Sequence, residues 1–368
     1  MNQLKLGYFG SVIMPRNYSP HKLTALVFGR LASRFRAGIV ASVISLSWLL
    51  PAQAQSSESA GSRPPSAASA VFQILASELA LQQGQLAVAV ATYISLAEST
   101  RDAGVAERAT RIALTAQSAR QALRAGVVWL EAQPESEDAQ DIVDLLRLQF
   151  GFFTDLRGSL TARKVQAEKA GTLAPFFERL AGLTGQAQEP AKVLALIESV
   201  AGTNKDHRSL LYARAMLNER VQNHKTMESL LRQLIAQDSG HAHARNALGY
   251  SLADRGVRLE EAEALIREAL SILPEDPHIL DSMGWVAFRQ GRFDTAVQWL
   301  SDAHRRQPDA EISAHLGEAL WALARKEEAL AVFRLGLTHD PGNTVLSNTL
   351  KRLGISPESL PSSKRAGQ

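Results

Sequence analysis

Three stretches in the carboxy-terminal third of the sequence repeat one another at a fixed spacing, and that recurrence constrains the fold more than any other feature. Each runs through an apolar residue followed by glycine, a breaker, alanine, a second apolar residue, a small residue and proline. In the first copy these are Leu248-Gly249, Gly256, Ala262, Ile266, Ala269 and Pro274. In the second they are Met283-Gly284, Gly291, Ala296, Leu300, Ala303 and Pro308. The third has Leu316-Gly317, Ala329, Phe333, Gly336 and Pro341. Ala262 to Ala296 and Pro274 to Pro308 each span 34 residues, and Ala296 to Ala329 spans 33. Gly249, Gly284 and Gly317 are placed to let a second helix come close, and Ala262, Ala296 and Ala329 to do the same from the other side. The prolines stop the second helix and open the next unit. A single helix pair leaves an apolar face bare, so such units must stack on one another.

This period, with Leu-Gly, Ala-x3-Phe and Pro in order, is the tetratricopeptide signature. Weaker copies precede it. Val71 to Thr100 reads as one pair, with Gly84 at the turn and Ala89 and Tyr93 at packing positions; Ala103 to Pro134 reads as another, with Ala122 and Trp129. Ser209 to Asp238 reads as a third, degenerate pair. Asp138 to Ala201 looks helical, broken at Gly151, Gly171, Gly182 and Gly202, with its repeat register open. The expected fold is all-α, a tetratricopeptide-repeat superhelical solenoid of about eight helix pairs. Degenerate repeats are expected over 70–240, well-defined ones over 241–343 and a capping helix over 344–353, followed by a disordered tail, 354–368. Leu and Ala dominate the apolar fraction, which favours helix, and no sustained period-2 alternation appears between Val71 and Leu353.

The chain carries 40 basic and 37 acidic residues, a formal charge of +3. Six of the basic residues (Lys5, Arg16, Lys22, Arg30, Arg34, Arg36) lie in the first 54 positions, which hold no Asp or Glu, leaving 34 against 37 beyond. A near-neutral body without a basic stripe argues against nucleic acid as partner. The apolar run Gly38 to Leu50, preceded by arginines and followed by Pro51-Ala52-Gln53-Ala54, reads as a secretory signal peptide over 1–54, cut after Ala54 with Ala52 and Ala54 as the small residues. The run is short of the ~20 residues of a membrane span. A retained leader is the alternative. Residues 55–69 (Ser, Ala, Gly and Pro-rich) read as a disordered linker. Export through such a leader implies a periplasmic address in a Gram-negative bacterium, with no membrane span after cleavage.

In stacked helix pairs the first helices line a concave surface. Positions one and five residues beyond the packing apolar residue are expected to lie outside the inter-helix contact. Counted from the glycines, the i, i+4, i+8 stripe of the first repeat is Asn246, Tyr250 and Asp254. The second contributes Asp281, Trp285 and Arg289, with His278 and Phe288 beside them, and the third Glu318 and Trp321, with His315 beside them. Aromatic rings interleaved with polar groups suit a docked peptide or helix. Equally, Tyr250, Trp285 and Trp321 could fill the groove between adjacent repeats. The nine histidines make no His-Glu-x-x-His pair, and no nucleophile elbow or phosphate loop occurs, so no catalytic, metal or cofactor site is expected. With no cysteine, thiolate chemistry and lipid attachment at an N-terminal Cys are absent too.

The stretches NALGYSLADRGVRLEEAEALIREAL (Asn246 to Leu270), PHILDSMGWVAFRQGRFDTAVQWL (Pro277 to Leu300), DAEISAHLGEALWALARKEEAL (Asp309 to Leu330) and NTLKRLG (Asn348 to Gly354) resemble a family of exported proteobacterial tetratricopeptide proteins. Val71 to Ala97 is similar to that family's opening repeat. One type in the family is an outer-membrane lipoprotein that binds a carboxy-terminal processing protease and assembles it into an active complex degrading peptidoglycan hydrolases. The resemblance implies an adaptor role, with that protease or its substrates as partners. This chain departs from the type in lacking the lipid-bearing cysteine and in a shorter middle. Two other readings stand beside it: a structural scaffold for envelope or outer-membrane assembly, and an enzyme with a site within 138–201. The last has no convergent acid, base or metal set to carry it.

Overall fold

The computed structural model describes residues 65–360, and every regular element among them is helical. Seventeen α-helices follow one another, with three short 3-10 turns at Leu183–Gln186, Gly202–Asn204 and Pro357–Ser359. They are α1 (Ala67–Gln82), α2 (Leu86–Thr100), α3 (Ala103–Thr115), α4 (Ala119–Ala132), α5 (Glu137–Gln149), α6 (Phe153–Ala170), α7 (Leu173–Gly182), α8 (Pro190–Ala201), α9 (Arg208–Arg220) and α10 (His224–Gln237). The series continues with α11 (Ala242–Arg255), α12 (Leu259–Ile272), α13 (Pro277–Arg289), α14 (Phe293–Arg306), α15 (Ala310–Ala322), α16 (Lys326–His339) and α17 (Thr344–Leu353). The helices form a tetratricopeptide-repeat solenoid, with close pairs at α1–α2, α3–α4, α9–α10, α11–α12, α13–α14 and α15–α16 and a closing α17.

Two compact units divide the described residues, 65–156 and 157–360. In the first, α1 packs on α2, α2 on α3 and α3 on α4, around a core of Ala89, Tyr93, Ala122 and Trp129. In the second, each first helix packs on its own second helix (α11 on α12, α13 on α14, α15 on α16), and the second helix also meets the next first helix. First helices touch one another as well: α11 with α13, α13 with α15, α15 with α17. The two kinds of helix are therefore unequal. Among its residues α13 buries Ile279 through Ala287 without a break, whereas α14 buries Ala296, Val297, Leu300 and Ala303, one stripe only. First helices form an inner layer covered on several sides, and second helices an outer layer with one apolar stripe.

The repeat residues explain the close packing. A methyl group on Gly249 would lie 2.6 Å from Ile266 Cγ1 and 2.8 Å from the Ala262 carbonyl oxygen. On Gly284 it would meet Leu300 at 2.4 Å, and on Gly317 the Phe333 ring at 2.2 Å. Ala262, Ala296 and Ala329 are fully buried opposite them. Pro274, Pro308 and Pro341 stand in the connections that end α12, α14 and α16. Gly256 (φ +68°) and Gly291 (φ +78°) hold the left-handed turns between the helices of a pair, a conformation disfavoured with a Cβ.

Side-chain caps start the first helices. Asp276 accepts from the backbone N–H groups of His278 and Ile279, and Asp309 from those of Glu311 (3.0 Å) and Ile312 (2.8 Å). Asp309→Ala is expected to cost about 1 kcal/mol, seen as a lowered urea midpoint with unchanged slope.

Two boundaries differ from those the sequence implies. The linker expected to reach residue 69 ends at Ser66, whose hydroxyl caps α1 at Ser69 N, so 67–69 are helical. The tail expected to be disordered from 354 stays ordered to Leu360, because Ile355 is buried and Leu360 packs on the same apolar cluster as Phe333 and Leu350. The leader with Ala52 and Ala54, the rest of the linker, and residues 361–368 lie outside the described residues. Within 138–201 the breaks fall at Gly151, Gly171 and Gly202, each with positive φ, while Gly182 ends α7.

Candidate partner-binding face on the first helices

The residues singled out on the first helices converge in α11, α13 and α15, and most of them are turned into the contact between repeats. Asp281 is fully buried and His315 is 2% exposed; His315 Nδ1 lies 3.0 Å from each carboxylate oxygen of Asp281, across one repeat. Trp285 stacks on His315 (centroids 4.2 Å apart, 22° between planes) and on Phe288 (5.0 Å, 9°). Tyr250 approaches the same imidazole at 6.2 Å. The Arg289 guanidinium sits 5.8 Å from the Trp285 ring centroid, donates to the Asp254 carbonyl and lies 4.0 Å from the Asp254 carboxylate. Arg352 of α17 donates both of its terminal nitrogens to the Glu318 carboxylate.

Asn246, Tyr250, Asp281, Trp285, His315 and Glu318 are thus buried, where the concave-face reading expected open positions. The reason is the inner layer: that reading allows for a first helix meeting its own second helix, but here first helices also meet each other. Asp254, His278, Phe288, Arg289 and Trp321 remain half-exposed. Lys326 stands 5.2 Å from the Trp321 ring, and the His278 ring is 3.4 Å from Gln307 Nε2.

Electrostatics follow from this burial. Burial alone pushes the His315 imidazole down, but Asp281 beside it, helped by Glu318 and Asp254, outweighs burial and leaves its pKa above the usual histidine value. Glu311, at the start of α15, is raised well above the carboxylate range by burial and by the nearby Asp281, Asp309 and Asp254. Its Oε1, the Asn246 Oδ1 and the Trp285 indole N–H are buried without a hydrogen-bond partner among the described residues.

The cross-repeat pairs share a separation. Asp281 and His315 are 34 apart, as are Glu318 and Arg352, and Asp254 and Arg289 are 35 apart. Arg352 was not singled out by sequence, although a base one period beyond Glu318 was a readable signal. Among the described residues no group of three His, Asp or Glu is placed to hold a metal ion, and no helix is long and apolar enough to cross a membrane.

Comparison with known proteins agrees with this architecture. Residues 197–277 and 282–344 match the family model described as tetratricopeptide repeat. The TPR repeat-containing protein PA4667 of Pseudomonas aeruginosa is 41% identical over 203 residues, which is 50% of this chain and 34% of that protein. Cellulose synthase operon protein C of Komagataeibacter xylinus is 28% identical over 207 residues, 54% of this chain and 15% of that protein. The match therefore spans about a third of the first relative's length and less of the second's. A crystal structure of a tetratricopeptide repeat protein from Parabacteroides merdae superposes with a TM-score of 0.50 at 17% identity, covering 68% of this chain and 97% of that one, a likeness of fold. Period, close-packing glycines, paired helices and the matched segments agree on tetratricopeptide repeats within 197–344.

Proposed function

We propose that this chain is an exported, non-enzymatic scaffold that holds a protein partner against the first helices of its carboxy-terminal repeats. The observation that carries this reading is the division of labour on those helices. Asp281, His315, Trp285 and Glu318 are spent on repeat-to-repeat contacts, and Phe288, Arg289, Trp321, Asp254 and His278 stay half-exposed on the same rigid layer. Aromatic and arginine side chains held in fixed places are the groups that anchor interfaces at low entropy cost. Tetratricopeptide repeats in general mediate protein–protein contacts, which supports the reading.

The partner we infer is a carboxy-terminal processing protease of the periplasm or one of its peptidoglycan hydrolase substrates. Support for it comes from the resemblance of 246–270, 277–300 and 309–330 to the adaptor family, and from the leader-like composition of 1–54. Affinity capture from periplasmic extract tests it: recovery of such a protease supports the adaptor role, and recovery of envelope-assembly factors alone sinks it. Against the captured partner, Trp321→Ala and Phe288→Ala are expected to weaken binding about 10- to 30-fold each, the effect of losing an interface anchor. Unchanged affinity in both variants, with melting as in the parent, rules out this face.

A further inference from the structure

We propose that the outer face of α1 is the contact surface for a second copy of this chain. The inference is independent of the partner reading, because α1 belongs to the other compact unit.

Helix α1, AASAVFQILASELALQ, is apolar on more than one side. One stripe (Ile74, Ala80, Leu81) packs into the core shared with α2 and α3. A second stripe points elsewhere: Phe72 is 71% exposed, Leu75 63%, Val71 56% and Leu79 55%. Val88 and Leu86, just across the Gly84 turn in α2, are exposed as well. Together they present on the order of 500 Å2 of apolar surface, at the upper end of what a monomer's largest patch leaves open.

The spacing of that stripe matches the knobs of a helix–helix seam. Ala68, Phe72, Leu75, Leu79 and Gln82 follow at intervals of four, three, four and three residues. That alternation keeps one line of side chains facing a partner helix laid nearly parallel or antiparallel to it. An exposed surface residue scattered here and there needs no explanation; a heptad-spaced line of them along a whole helix does.

Charge leaves a second copy free to bind. Glu78 is the one charged residue of α1, and it is already engaged: Arg108 donates to its two oxygens at 2.9 and 2.8 Å, and the Tyr93 hydroxyl donates at 2.6 Å. The positions flanking the seam are otherwise Val71, Ser69, Ala76 and Gln83, so nothing on it selects a partner of opposite sign. Two identical copies meet without like-charge repulsion, and a two-fold axis places the same stripe on both sides. Doubling the exposed patch gives roughly 1,000 Å2 of buried surface, the lower limit for a specific interface.

Sedimentation equilibrium of the chain purified from cells, its ends read by mass spectrometry, tests this. The wild type is expected to be a dimer at about 10 μM, and Phe72→Glu/Leu75→Glu a monomer at that concentration, a weakening of at least tenfold. Both substituted positions are exposed, so helical circular dichroism and melting of the monomeric variant should stay close to those of the parent. A mixture of Leu75→Glu and Leu75→Lys chains is expected to regain dimer, which only a self-contact would do. A wild type that stays monomeric to about 100 μM overturns the proposal, whether the face is covered by another protein or by this chain's own amino-terminal residues. So does a double variant that dimerises as well as the wild type.

Discussion

His315→Ala is expected to lower folding stability by about 3–5 kcal/mol, because it strands the Asp281 carboxylate in a fully buried site with its hydrogen-bonded partner gone. It also removes the ring on which Trp285 stacks. Urea denaturation of the carboxy-terminal transition measures the loss. Replacing both members with leucine should recover most of it, since a buried ion pair is often no better than well-packed apolar groups of similar volume. The same pair sets a pH dependence. The folded-state pKa of His315 lies above its unfolded value, so the proton is held more tightly when folded. That stabilisation is complete below the ordinary histidine range, about pH 6.5, and is lost as pH rises through the raised value. Glu311, also raised, acts in the same direction from a lower starting pH. The wild-type urea midpoint should therefore fall as pH rises above about 6.5, with a shallower fall in His315→Ala.

Gly317→Ala is the second large effect, and its sign opposes the helix propensity of alanine. A Cβ at 317 would lie 2.2, 2.6 and 2.6 Å from three carbons of the Phe333 ring, and that ring is fully buried. The ring cannot swing into solvent, so α15 and α16 must separate, at a cost near the top of the overpacking range, about 3 kcal/mol. Gly158→Ala, in α6, is the matched control. Nothing lies within 4 Å of a Cβ there and φ is not positive, so the substitution should stabilise by up to about 1 kcal/mol. A double-mutant cycle of Gly317→Ala with Phe333→Leu should show strong coupling, the smaller side chain relieving part of the clash.

How much of this was readable from the chain depends on which contact a residue makes. Gly249, Gly284 and Gly317 were legible, since a recurring glycine opposite a recurring alanine means close approach whatever lies around it. The all-helical repeat architecture and its closing helix were legible from the same period. The burial of Tyr250 and Trp285 was one of two open readings, because it depends on first helices packing on one another, a contact between residues of different repeats. Its trace does exist in the sequence: Asp281 with His315, and Glu318 with Arg352, are complementary groups one period apart. Reading columns across repeats would have placed those side chains inside. Residues 138–201 resisted for another reason. There α7 is only ten residues long, and α7 and α8 both pack on α9, so no 34-residue column runs through the segment. The docking of Ile355 and Leu360 escaped notice because they sit in a stretch whose Ser and Pro content argues for disorder, while two apolar side chains suffice to hold it.

The scaffold reading stands or falls on where a bound partner touches the chain. Hydrogen–deuterium exchange of the chain with and without its captured partner reads this directly. The expected result is added protection along α13 and α15, around Phe288, Arg289 and Trp321, with the outer helices α12, α14 and α16 unchanged. Protection confined to the outer helices, or a partner that leaves α13 and α15 exchanging as in the free chain, would contradict it.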